Sequence, residues 1–354
     1  MTHTLKNSKR IISYDMIRII AILSVILIHS AAKYVTSFPT DSLDFLFGNL
    51  FDSIARIAVP LFVMLSGALL LREDKVFDFK EMKKYVIRIF CLLYSWSFIL
   101  AVFYQIVLPF FEEQTISLKA LVRAFLFGHY HQWYLFMIIG IYLVTPILKL
   151  FTKRENKKYI LWFILLSILA QFSIPILNFL INHITGSSDV LLEYSSEFSL
   201  NFVSNFITYY FLGWYFTNFE LTKKFKNTLY VLGICGLLIA FIGTQIFSPE
   251  YPTIYSIFYS NLSINILLYS SAVFVFITSK NWEKLNEKFV ILLSKLSFGV
   301  YMIHPIMLTE LSYVPITKIA YINIPFNWIM CTILSFICVY IMSRIPLIKL
   351  LTKN

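Results

Sequence analysis

Charge is scarce in this 354-residue chain: 14% of positions are Asp, Glu, Lys or Arg, while 58% are hydrophobic. A soluble globular chain sits near half apolar and a quarter charged. A mean hydropathy of +0.75 agrees; so apolar a composition cannot supply a water-facing surface. Acidic residues are scarcer than basic ones, 19 against 30, for a net charge of +11. A nucleic-acid interface is excluded nonetheless, because the basic residues stand between apolar runs and not on one face of a soluble fold. Cysteine is rare too: Cys91, Cys235, Cys331 and Cys338, with no CxxC pair. Neither a disulfide framework nor a zinc site is expected, and buried, inert thiols are. Long polar linkers, low-complexity tracts and internal repeats are missing. So is a small-x-small cleavage site after Lys6, Lys9 and Arg10, so the apolar run from Ile11 is expected to stay as a signal-anchor helix.

Apolar runs long enough to cross a bilayer fill the chain. A span needs about 20 residues, and ten are expected: 11–32, 48–71, 85–109, 133–151, 159–182, 199–219, 228–247, 257–279, 290–311 and 324–347. Phe (35) and Tyr (22) are abundant, as lipid contact and headgroup belts require. The fold class is therefore an all-α, polytopic transmembrane helix bundle of about ten helices. It forms one domain, 1–354, with no appended soluble domain expected. Placing the N-terminus inside puts Lys6, Lys9, Arg10, the 72–84 cluster, 153–158, 223–226, 280–288, Lys349 and Lys353 on the inner side. Lys33, Lys119, Arg123 and Lys318 are left outside. This alternation is the positive-inside pattern, so both termini and loop 153–158 are expected in the cytoplasm and loop 183–198 outside. Between spans three and four, Leu118, Leu121, Val122, Phe125 and Leu126 recur at helical spacing after Ser117, a candidate N-cap. A short interfacial helix at 115–127 is expected, delivering His129 and His131 to the mouth of the fourth span.

Ionisable groups inside spans are costly and face a cavity or a partner. Arg18 and His29 lie eleven residues apart, on nearly one helix face and about 16 Å apart along the axis. Asp15 can pair with Arg18 at i,i+3, and Asp52 with Arg56 at i,i+4. Pro305 follows His304, so a kink and a freed carbonyl are expected there. Arg72, Lys84 and Arg88 form an inner basic cluster that suits anion binding and headgroup snorkelling equally. His131 precedes Trp133 and Tyr134, which also suit an interfacial aromatic belt, and His129 is expected to be a solvated loop residue. These groups describe a polar cavity in a helix bundle, which fits an enzyme or a transporter.

Five segments carry a resemblance. The first helix reads YDMIRIIAILSVILIHS and the second RIAVPLFVMLSGALLL. KKYVIRI, HQWYLFMIIGIYLVTPIL and LSFGVYMIHPIML follow in order. Together they resemble the acyltransferase-3 family of integral-membrane O-acyltransferases, with Asp15, Arg18 and His29 matching its Asp, Arg-x10-His signature. Residues 155–290 share only its hydropathy. The resemblance implies transfer of an acyl group, usually acetyl, to a hydroxyl of a cell-envelope glycan or lipid-linked sugar. The donor would be a cytoplasmic thioester, acetyl-CoA or another acyl-CoA, acting as substrate; no tightly bound cofactor and no metal are implied. The protein would lie in the cytoplasmic membrane among lipids. An alcohol attacking a thioester needs a base near neutral pH, which suits His29 as base or as transient acyl carrier. Arg18 would polarise the thioester oxygen or bind donor phosphates, while Arg72, Lys84 and Arg88 would hold those phosphates. Asp15 would support Arg18, and Arg56, His131, Trp133 and His304 would line the acceptor side. The alternative is a transporter or flippase of a lipid-linked glycan or small solute, using the same charges as a path.

Overall fold

The computed structural model describes residues 10–186, 190–197, 205–248, 257–282, 284–317 and 319–352. Lys6, Lys9, Lys318 and Lys353 of the charge pattern lie outside the described residues, as do parts of loop 183–198 and the start of the expected span 199–219. Among the described residues, nine helical runs are long and apolar enough to cross a membrane. They are built from α1 (Ile12–Ser37), α2 (Leu43–Ala55), α3 (Ala58–Leu70), α4 (Phe79–Val102), α5 (Leu108–Phe111), α6 (Leu118–Phe127), α7 (Trp133–Phe151), α8 (Lys157–Ser167) and α9 (Ile174–Thr185). After the short α10 (Val190–Glu197) and α11 (Ile207–Asn218) come α12 (Lys223–Phe247), α13 (Ile264–Ser279), α14 (Glu287–Ser312) and α15 (Ala320–Met342). The all-α, polytopic bundle expected from hydropathy is the observed fold. The described part of the remaining expected span is α11, whose 12 residues rise only about 18 Å. It lies at the centre of the bundle, with Tyr209, Tyr210 and Trp214 fully buried.

Proline accounts for most departures from straight spans. The second span, expected to be one helix, is broken at Arg56–Ile57 between α2 and α3. The Pro60 ring would collide with the carbonyl of residue 56 in a continuous helix, so the chain turns there and sets Arg56 at the break. The π-helical turns Phe103–Val107 and Ile168–Ser173 each end just before a proline, Pro109 and Pro175. The short helix expected at 115–127 is α6. Ser117 Oγ accepts from the Ala120 amide at 3.3 Å, and Leu118, Val122, Leu126 and Phe127 are exposed.

The order of contacts gives the helix directions. Arg18 meets Ser294 and His29 meets His304, so α14 runs parallel to α1. Trp328 Nε1 donates to the Leu23 carbonyl (2.9 Å) and Asn323 Nδ2 to the Tyr34 hydroxyl (2.8 Å), so α15 runs antiparallel to α1. Tighter still is the crossing of α3 and α11. A Cβ on Gly67 would sit 1.8 Å from the Tyr210 carbonyl oxygen, and one on Gly213 would sit 1.8 Å from that of Met64. Two backbones touch here because neither glycine carries a side chain, the usual device for close helix packing in lipid.

Candidate active site

The α1 stripe begins with a buried carboxylate. Asp15, 1% exposed, accepts from Arg10 Nε and Nη2 (2.7 and 2.6 Å), from Arg18 Nη1 (3.2 Å) and from Ser294 Oγ (2.6 Å). Four hydrogen bonds from three residues, Arg10 just before α1, Arg18 on it and Ser294 on α14, fix this carboxylate, and through it the Arg18 guanidinium, beside α14. The pairing expected at i,i+3 is present, and Arg10 strengthens it. About three turns further along α1, half-buried His29 enters a group of rings. Its centroid lies 5.2 Å from that of His304, nearly parallel at 26°, and 5.0 Å from Tyr130. His131 closes the group edge-on to His304 at 5.3 Å.

The hydrogen bonds of this group decide its chemistry. His304 Nδ1 lies 2.8 Å from the Tyr301 carbonyl oxygen, and the Tyr301 hydroxyl donates to the His131 carbonyl. The Nε2 atoms of both His131 and His304 are buried without a hydrogen-bond partner among the described residues. Buried polar nitrogens left so are uncommon and costly, and here one is on the ring stacked against the more open His29 and the other on the ring packed behind it. No group of three His, Cys, Asp or Glu suited to a metal ion occurs among the described residues.

His129 is not the solvated loop residue expected. Its ring stacks on Tyr104 at 4.4 Å, and its Nδ1 lies 3.0 Å from that of His131, close enough to share one proton. Gly128, at φ +73°, turns the chain back, and the Gln132 side chain accepts the His129 amide at 2.7 Å. Three polar residues in four, His129, His131 and Gln132, were the sequence signal for this folded-back loop. Trp133 points elsewhere: it is 43% exposed and packs on Phe206, 5.8 Å away, and not on the imidazoles. Arg56 pairs with Asp52 as its spacing suggests and lies over the Tyr259 ring at 4.1 Å.

The expected basic cluster is divided. Arg72 pairs with Asp74, whose carboxyl is held below its ordinary range by that hydrogen bond. Lys84 and Arg88 lie on the outward stripe of α4 with exposed Ile87 and Phe90, and Lys84 approaches only Glu81, at 3.6 Å. Their positions in α4, four residues apart, set them on one face, but Tyr85, Ile89 and Leu92 take the inward one, so the structure does not gather them with Arg72. Lys149, which the sequence did not single out, is the actual neighbour: its Nζ donates to the Arg72 carbonyl. Lys149 also lines a cleft of about 480 Å³ with Glu73, Thr152, Lys153, Arg154 and Glu155. A second cleft, of about 280 Å³, opens beside Tyr14, Thr217 and Lys226 near the start of α1. Both lie at the Arg18 end of the bundle.

A family model described as an acyltransferase domain matches residues 11–344. A curated protein of Enterococcus faecalis named amino-acid racemase is 27% identical over 353 residues, covering 91% of this chain and 44% of that protein. The chain thus spans less than half the length of the curated relative it matches. No solved structure matches it. With Asp15, Arg18, His29 and the His304–Pro305 segment all inside the matched range, the chain belongs to the acyltransferase-3 family.

Proposed function

We propose that the chain is a membrane O-acyltransferase that moves an acyl group, acetyl foremost, from cytoplasmic acyl-CoA to a hydroxyl of a cell-envelope glycan. The observation that carries the reading is the placement of His29. It sits on one helix with Arg18, in an apolar bundle, stacked on the buried imidazole of His304, which packs in turn on that of His131, each with an unpartnered nitrogen among the described residues. Transfer from a thioester needs a nitrogen with a lone pair near the acyl carbon and a positive group near the oxygen that gains charge. Imidazole supplies the first, as base or as acyl carrier; Arg18, about 16 Å away along α1 and tied to Asp15 and Ser294, is assigned to the donor's phosphates. Arg72 and Lys149 at the Arg18 end are the cations we assign to donor phosphates, with Lys84 and Arg88 serving anionic headgroups at the surface. Arg56 and His131 are assigned to the acceptor side.

The experiment is a comparison of envelope glycans, by mass, from cells lacking the gene and from cells complemented with it. The account expects an acyl group on the complemented glycans that the deletion loses. Unchanged glycan masses with altered uptake or export of a solute or lipid-linked sugar would favour the transporter instead.

Orientation follows from the charge alternation and is tested separately. Thr115→Cys and Glu155→Cys lie in loops at opposite ends of the bundle. In a background without the native thiols, an impermeant reagent added to intact cells should label Thr115→Cys and spare Glu155→Cys. The reverse pattern would invert the protein and put the donor cleft on the wrong side.

A further inference from the structure

Pro305 lies inside α14 and has no amide hydrogen for the carbonyl of Tyr301, one turn earlier. That carbonyl is satisfied instead by His304 Nδ1, at 2.8 Å. A carbonyl oxygen only accepts, so Nδ1 carries the ring proton and Nε2 keeps a lone pair. His304 is fully buried, and that Nε2 has no partner among the described residues. Tyr301 makes a second tie with its hydroxyl, which donates to the His131 carbonyl. One residue therefore sets the tautomer of one imidazole and the position of another. An uninterrupted helix would have filled the Tyr301 carbonyl from its own backbone and left His304 free to take either tautomer.

We infer that Pro305 is a tautomer lock that holds His304 as the Nε2 base for the acceptor hydroxyl, leaving His29 to carry the acyl group. The inference rests on the acyl-transfer reading above. In the first half-reaction a His29 ring nitrogen attacks the thioester carbonyl. The C–S bond breaks, and the CoA thiolate takes the proton that the His29 ring gives up. In the second, the acceptor hydroxyl oxygen attacks the acyl carbon while its proton passes to His304 Nε2. The C–N bond to His29 breaks, and His304 returns the proton to the departing His29 nitrogen. Thioester and alcohol become ester and thiol; His304 ends as it began, and His29 ends neutral with its proton on the nitrogen that carried the acyl group, regaining its first tautomer by proton exchange. The division suits their settings: His29 is half-buried and can meet a bulky donor, whereas His304 is sealed and needs only a proton.

Pro305→Ala tests the lock, because it gives the Tyr301 carbonyl a backbone donor that competes with His304. A proline that merely shaped the helix would alter stability and activity together. The lock predicts that they part: the thermal midpoint of the purified full-length protein rises, since interior proline disfavours a helix. Steady-state acyl transfer meanwhile falls about tenfold, the scale of one net hydrogen bond. Histidine ¹⁵N spectra of the wild type should contain an Nδ1–H tautomer that disappears in His304→Asn and weakens in Pro305→Ala. With acyl-CoA and no acceptor, wild type, Pro305→Ala and His304→Asn should each release CoA in a burst of one per protein, and His29→Ala should release none. Undiminished turnover in Pro305→Ala, or an Nε2–H tautomer at His304 in the wild type, overturns the lock. Loss of the burst in His304→Asn overturns the division of roles. Absence of a burst from the wild type refutes the acyl carrier and leaves His29 as a base, the acyl-transfer reading itself being decided by the glycan comparison, while the tautomer spectrum still decides the lock.

Discussion

His29→Ala is expected to insert and purify like the wild type yet to transfer acyl groups about 10²–10⁴-fold more slowly, the usual range for losing a general base. Loss of a covalent carrier would reach at least that far. The fold should tolerate the change, because His29 is half-buried and its contacts are ring faces of Tyr130 and His304. Cys235→Ser, on an exposed position of α12, provides the comparison and should change turnover less than twofold. Turnover is measured with a labelled acyl donor on protein normalised for folded amount. Near-wild-type transfer by well-folded His29→Ala would remove His29 from the chemistry and leave Arg18 without a reacting partner on its stripe.

Gly213→Ala is expected to damage the fold more than any single change on the surface of the bundle. Its new methyl would stand 1.8 Å from the Met64 carbonyl oxygen, a backbone atom that cannot rotate away. The helices α3 and α11 must then separate, loosening the packing of Tyr210 and Trp214, which are fully buried. Overpacking a close-packed interior costs about 1–3 kcal/mol, and more where backbone must move. Gly67→Ala attacks the same crossing from the other helix, so the double variant should lose less than the sum of the two, since separated helices accommodate the second methyl. Gly140→Ala, with nothing within 4 Å of its new Cβ, should be neutral or gain up to about 1 kcal/mol. Thermal unfolding in one detergent ranks the four proteins. A Gly213→Ala midpoint matching that of Gly140→Ala would mean that the two helices do not cross this closely.

Much of this was legible from the sequence because hydropathy and helical spacing are local. The spans, the Asp15–Arg18 and Asp52–Arg56 pairs, the Ser117 cap and the carbonyl freed by Pro305 each depend on residues within about four of one another. What resisted reading depends on facing. Hydropathy cannot tell lipid from protein as the apolar neighbour, so α11 looked like any other span although its side chains pack inside the bundle. Lys84 and Arg88 are close to Arg72 in sequence, but the helix phase of α4 turns them outward, while Lys149, seventy-seven residues from Arg72, reaches its carbonyl. His129 looked solvated because nothing local announces that Tyr104 waits to stack on it. The break at Arg56–Ile57 was readable in principle from Pro60, since the ring collides with the carbonyl four residues earlier.

The central claim is that this bundle passes an acyl group from a thioester to a hydroxyl through His29. Purified protein in sealed, uniformly oriented proteoliposomes, given labelled acetyl-CoA on the face bearing Glu155 and a hydroxyl-bearing glycan acceptor on the other, tests it most directly. The account predicts label on the acceptor with wild-type protein, little or none with His29→Ala, and none when the donor is supplied on the opposite face. Acceptor that stays unlabelled with the wild type, or is labelled equally from either face, would contradict it.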